Sequence, residues 1–87
     1  MSGQTLPIVI ARWPRSANDT VMIRIDQFKG SAVIDIRAWW TSQTGELRPG
    51  RTGITVSIQR LPALACALTE AEAVARRLGL LAETDDA

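Results

Sequence analysis

The sequence predicts an α+β domain in which four antiparallel strands precede one helix. Two observations carry that prediction. Apolar residues alternate with polar ones through 21–28 and again through 31–40, on either side of Lys29-Gly30, which is the signature of a hairpin. Beyond residue 60 the apolar period changes to that of a helix, with Leu61, Leu64, Leu68, Ala71, Ala75 and Leu78 at i, i+3 and i+4 spacings.

In chain order, Leu6–Arg12 is a short β-branched run and is expected as the first strand. WPRSANDT, residues 13–20, is rich in turn formers and is expected as a loop. In the second strand, VMIRIDQF, residues Val21, Ile23 and Ile25 point one way, and Arg24, Asp26 and Phe28 point the other. Gly30 supplies the positive φ that a tight hairpin needs. In the third strand, SAVIDIRAWW, residues Ile34, Ile36 and Ala38 face the core, while Val33, Asp35, Arg37 and Trp39 take the opposite face. TSQTGELRPGRTG, with three glycines and a proline, is expected as a long turn, and ITVSI (54–58) as the fourth strand. Ser57 is a candidate cap for the helix, with Pro62 just inside its start. Thr69-Glu-Ala-Glu72 is a capping-box pattern within the helical stripe, so a kink or restart is expected near residue 69. Gly79 ends the helix. Residues 1–5 are expected to be flexible, 6–81 to form the single domain and 82–87 to be a disordered acidic tail.

Composition bounds the function. A chain of 87 residues has a thin core, so a second copy is expected to complete it. One cysteine and no histidine leave no internal disulfide and no cysteine/histidine zinc site. No apolar run is long enough to span a bilayer, so no membrane partner is expected. Residues 1–60 hold eight basic and four acidic side chains, a net charge of +4, whereas residues 61–87 carry −3. Charge alone favours an unevenly solvated surface over a polyanion site.

The catalytic options are poor. GELRPGRT is one lysine short of a nucleotide-hydrolase phosphate loop. Such a loop must lead into a helix, whereas this one leads into ITVSI, and Pro49 removes one amide. Ser31, Ser57 and Cys66 have no histidine base, and Asp35 is a lone carboxylate best read as the salt-bridge partner of Arg24 or Arg37. Arg76 and Arg77 complement the dipole at the helix end. No enzyme, metal or cofactor is expected. Arg24, Phe28, Arg37 and Trp39 share the sheet face away from the helix, an aromatic and basic surface suited to single-stranded nucleic acid. Trp39 and Trp40, being adjacent, point to opposite faces, so one of them must meet solvent or a partner.

FKGSAVIDIRAWWTSQTGELRPGRTGITVSI resembles the DNA-binding core of the transcriptional coactivator positive cofactor four family. That pattern runs F-K-G, an apolar stretch, D-I-R, an aromatic-Trp pair, a Gly-Glu turn and K/R-P-G-R/K-x-G, then a short strand and a kinked helix. The match spans about residues 20 to 80, and the order and spacing of its fragments are specific. The resemblance implies a homodimer whose curved sheet binds single-stranded DNA or melted duplex, with the transcription machinery as a further partner. By position, Phe28 and Trp40 would stack on bases, Lys29, Arg37, Arg48 and Arg51 would contact the DNA backbone, and Leu64 and Leu68 would support the core and dimer. Ser31 and Thr52 depart from it, standing where the family often has basic residues. For Trp40 to reach the Arg37 face, a bulge or the strand end must intervene. The arginine- and alanine-rich composition suits a bacterial or phage-type member, which would act in the cytoplasm at the nucleoid; a eukaryotic member would be nuclear. The candidate interface is therefore Arg24, Phe28, Lys29, Arg37, Trp39, Trp40, Arg48 and Arg51. The competing readings are a protein-interaction module that docks a transcription or replication protein, and an RNA binder.

Overall fold

The strands β1 (Ile8–Pro14), β2 (Asp19–Phe28), β3 (Ser31–Thr41) and β4 (Leu47–Ser57) lie side by side in chain order as one open antiparallel sheet. A 3₁₀ turn over Ile58–Arg60 then leads into the helix α1, Leu61–Arg77. This structure, a computed structural model, describes residues 5–81. Most of the segment expected to be flexible and the whole acidic tail lie outside the described residues.

The β2–β3 hairpin is the regular part of the fold. Its register is unbroken from Asp19 opposite Trp40 to Phe28 opposite Ser31. Lys29 and Gly30 both have positive φ, 54° and 83°, as a two-residue turn matched to the strand twist requires. Lysine is an uncommon residue in that left-handed conformation.

Two connections are shorter than the sequence suggests. Residues 13–20 were expected as a loop, yet β1 runs to Pro14 and β2 begins at Asp19. Backbone amides of Arg15 and Ser16 both donate to the Asp19 carbonyl, at 2.9 and 3.2 Å, and close the turn within a few residues. Likewise 41–53 was expected as one long turn, but only residues 42–46 turn. There the Ser42 amide donates to Glu46 O at 2.8 Å, and the Ser42 hydroxyl accepts from the amide of Glu46 at 3.2 Å. The rest is strand, because β4 is a sheet edge. An edge tolerates Pro49, whose missing N–H leaves no ladder bond broken. Its glycines are there for close approach: a Cβ at Gly53 would lie 2.6 Å from the Ile36 carbonyl oxygen, and one at Gly50 would lie 2.7 Å from that of Ala38.

α1 runs unbroken from Leu61 to Arg77. The expected restart at residue 69 does not occur, since the Thr69 hydroxyl donates to the Ala65 carbonyl one turn back, at 3.0 Å, instead of capping a new start. Back-bonding of this kind bends a helix without breaking it. Ser57 caps the preceding 3₁₀ turn by accepting from the Gln59 amide. Gly79, at φ 77°, closes the C-terminus, with the Leu80 amide on the Ala75 carbonyl at 2.8 Å.

The two sheet faces differ as alternation demands. On one, Ile23, Ile25, Ile34 and Ile36 look toward Leu61, Leu64 and Leu68 of α1 across an open apolar groove of about 240 Å³. The helix does not close it, and no residue of α1 is buried. Among the described residues only Met22, Val33, Ile34 and Asp35 are buried. The Cα radius of gyration, 15.4 Å, exceeds the ~12 Å of a compact chain of this length.

On the other face a buried carboxylate lies among the buried side chains of Met22 and Val33. Asp35, 5% exposed, accepts from Arg37 Nε and Nη2 at 3.2 and 3.0 Å and from the Thr55 hydroxyl at 3.1 Å. Arg24 Nη2 stands 3.8 Å away. Removing one member of such a group strands the others in a poorly hydrated place. Asp35→Asn is therefore expected to lower stability by about 3 kcal/mol in urea denaturation; a loss under about 1 kcal/mol would show that the pairing is dispensable.

Candidate nucleic-acid interface

The eight candidate residues fall into two groups that the sequence does not separate. Arg24 and Arg37 are held inside the sheet. Arg37 places Nε and Nη2 on Asp35, Nη2 also on the Thr55 hydroxyl at 3.2 Å, and Nη1 on the Gly50 carbonyl at 3.0 Å. Arg24 donates from Nη2 to Asp26 at 3.0 Å, and its guanidinium lies 4.8 Å from the centre of the Trp39 ring. Their side chains are only 17% and 22% exposed for Arg24 and Arg37. Each has its charge answered by carboxylate, so a phosphate would have to compete with Asp26 and Asp35.

Trp39 belongs with them. It stands opposite Thr20 and Pro49, in the same face as Arg24 and Arg37, and is partly covered by Arg24. Buried Met22 lies in the row between them. Arg24 Nε and Trp39 Nε1 are both buried without a hydrogen-bond partner, so the pair is held by ring-to-cation attraction and packing.

Phe28, Lys29, Trp40, Arg48 and Arg51 are open. Phe28 is 59% exposed, and Lys29 Nζ lies 5.4 Å from its ring centre. Beside this turn, a cleft of about 210 Å³ is lined by Phe28, Gln27, Asp26, Arg24, Asp35 and Arg37, among others. At the other end of β3, Trp40 is 45% exposed and stands opposite Arg48. The Arg48 side chain, 54% exposed, bonds Glu46 at 2.9 Å, a surface pair of small energy that a competing anion displaces easily. Arg51 is exposed, and no hydrogen bond or ion pair holds it among the described residues.

Arg51 owes its place to a bulge. Arg37 faces Gly53 and Trp39 faces Pro49, so Gly50, Arg51 and Thr52 lie opposite Ala38 alone. This places on β4 the irregularity that was expected to turn Trp40. Because β3 itself is regular against β2, Trp40 stays on the face opposite Arg37 and Trp39. The structure therefore brings Arg24, Arg37, Trp39 and Phe28 to one face, and puts Trp40 and Arg48 on the other, at the sheet end far from the Lys29-Gly30 turn. A ligand touching both groups must pass round the sheet, and the β4 edge with Arg51 offers that path.

On β1 and the turn after it the described residues add two exposed cations, Arg12, which no hydrogen bond or ion pair holds among them, and Arg15, 49% exposed and bonded to Asp19 at 2.9 Å. Trp13, 47% exposed, also escaped the sequence reading, because Pro14, Ser16, Asn18 and Asp19 make its surroundings look like a loop. The β-branched run ahead of it was the signal that a strand could extend through residue 13.

Comparison with known proteins agrees with this architecture. Crystal structures of BPSL1147, a PC4 homolog from Burkholderia pseudomallei K96243, superpose in two crystal forms. The tetragonal form gives a TM-score of 0.66 at 24% identity, covering 77% of this chain and 98% of that one. The orthorhombic form gives 0.67 at 24% identity, covering 82% and 96%. At that identity the likeness establishes a shared fold. The family model for Transcriptional Coactivator p15 (PC4) matches residues 13–67, more than half of the chain, from the end of β1 through the first two turns of α1. The chain belongs to the PC4 family.

Proposed function

We propose that this protein is a non-catalytic binder of single-stranded DNA, acting as a homodimer in transcription or other DNA transactions. The observation that carries this reading is the pairing of exposed aromatic rings with exposed cations at both ends of β3: Phe28 with Lys29, and Trp40 with Arg48. Stacking on such rings needs bases that are not already stacked in a duplex, and the neighbouring cations neutralise the backbone. Arg51, exposed and unpaired on the β4 edge, supplies a further phosphate contact. The left-handed backbone at Lys29 supports the same reading, because a strained non-glycine residue is often kept for what its side chain does.

The dimer rests on the other face. The groove between the sheet isoleucines and α1 is apolar, and Ile54 and Leu68 beside it remain 52% and 57% exposed. A second copy, offering the same helix and sheet, would cover this surface and complete a core that one copy leaves open.

Fluorescence anisotropy with labelled single-stranded and duplex DNA of matched sequence, across a salt series, tests the proposal. The single strand should bind more tightly, with affinity falling about 0.7 log units per log unit of salt for each phosphate neutralised. Equal or weaker binding than duplex would refute the single-strand reading, and tighter binding to RNA would reassign the ligand. In sedimentation the protein should run at twice its 9.5 kDa chain mass; a monomer at micromolar concentration would refute the dimer.

The two kinds of arginine should separate in the same assay. Arg51→Ala is expected to reduce the salt slope by about 0.7 while leaving the urea midpoint unchanged. Arg37→Ala should lower the midpoint, since it strands Asp35. Equal stability in the two variants would contradict the division between open and structural cations.

A further inference from the structure

Trp13 has no role in the site derived above, yet nearly half of its surface is open. It stands opposite Val21, which stands opposite Ala38; one row further toward the sheet end, Asp19 stands opposite Trp40. Alternation therefore places Trp13 and Trp40 on the same face. With strands about 4.8 Å apart and a rise of about 3.3 Å per residue, their Cα atoms are about 12 Å apart across that surface.

This part of the face is not the part that α1 overlies. The groove under the helix ends at Ile23 and Ile36, and beyond Ile36 a second hollow of about 160 Å³ is lined by Val21 and Ala38 with Arg15, Arg37, Thr52 and Gly53. The cations at its margins suit a polyanion. Arg15 and Arg48 are held only by exposed ion pairs, to Asp19 and Glu46. Such pairs contribute little and yield readily to a phosphate. Two open indoles flanked by exchangeable arginines are a stacking platform within an electropositive margin.

We propose that Trp13 is a second base-stacking station, which carries a bound single strand from Trp40 across β2 to the edge strand β1. The proposal rests on the single-strand-binding reading. Trp40 and Trp13 then accept two bases of one strand, and Arg48 and Arg15 meet the phosphates beside them.

The chain has three tryptophans, so replacing Trp39 and Trp40 by phenylalanine leaves Trp13 as the sole indole. Titrating that protein with labelled oligothymidylate reports binding through label anisotropy and stacking through Trp13 emission. Emission should be quenched with the same midpoint as the anisotropy rise. In the native background, Trp13→Ala should weaken binding by about 5- to 150-fold, the range of one lost base stack, and Trp13→Phe should recover most of it. Unquenched emission during a clear anisotropy rise would overturn the proposal, as would parental affinity in Trp13→Ala. So would a change of sedimenting mass in that variant, which would assign Trp13 to contact between subunits. Absence of an anisotropy rise with the parent protein is the separate result that overturns the binding reading itself.

Discussion

The Asp35 carboxylate is the interaction on which the open face depends. It sits in the middle of β3, between two positions whose side chains serve the apolar face, and is almost wholly withdrawn from water. A buried carboxylate is tolerable only when its charge and lone pairs are answered. Arg37 and Thr55 bond it directly and Arg24 stands near, so side chains of β2, β3 and β4 meet at one group. Arg37 then reaches past it to the Gly50 carbonyl and holds the β4 bulge. Arg24 reaches the other way and lies over Trp39. A sheet face that no helix covers is thus tied together by polar contacts around buried Met22 and Val33, and it can stay accessible to a ligand.

That arrangement divides the basic residues. Arginines near Asp35 hold the frame; Lys29 and Arg51, at the hairpin and the bulge, are held by no carboxylate among the described residues. The placement follows from the backbone. The Lys29-Gly30 turn and the Gly50–Thr52 bulge are where regular pairing fails and side chains project past the sheet. The opposite face has the complementary character. Its isoleucines and the leucines of α1 are apolar and incompletely covered.

Much of the fold was legible because β2 and β3 alternate cleanly and α1 keeps a single apolar stripe. The α+β class, the order of elements and the reading of Asp35 as a salt-bridge partner of Arg24 or Arg37 all follow from those patterns; that it meets both does not. β4 was only half legible. Pro49, Gly50 and Gly53 are turn signals in isolation, and become strand residues only because β4 is an edge whose backbone must come close to β3. The same misreading hid Trp13. The side of the sheet that Trp40 takes depended on which strand carries the bulge, a matter of register between distant residues. Nor could composition separate Arg37 from Arg51, since the distinction lies in which carboxylate each can reach.

The central claim is that single-stranded DNA lies against the open aromatic and basic residues at the ends and edge of β3 and β4. Photo-crosslinking of a bromodeoxyuridine-substituted single strand, with the attached peptides mapped by mass spectrometry, tests it most directly. The account predicts adducts at Phe28 and Trp40, with none on the leucine stripe of α1. Adducts confined to α1, or spread without preference over the surface, would contradict it.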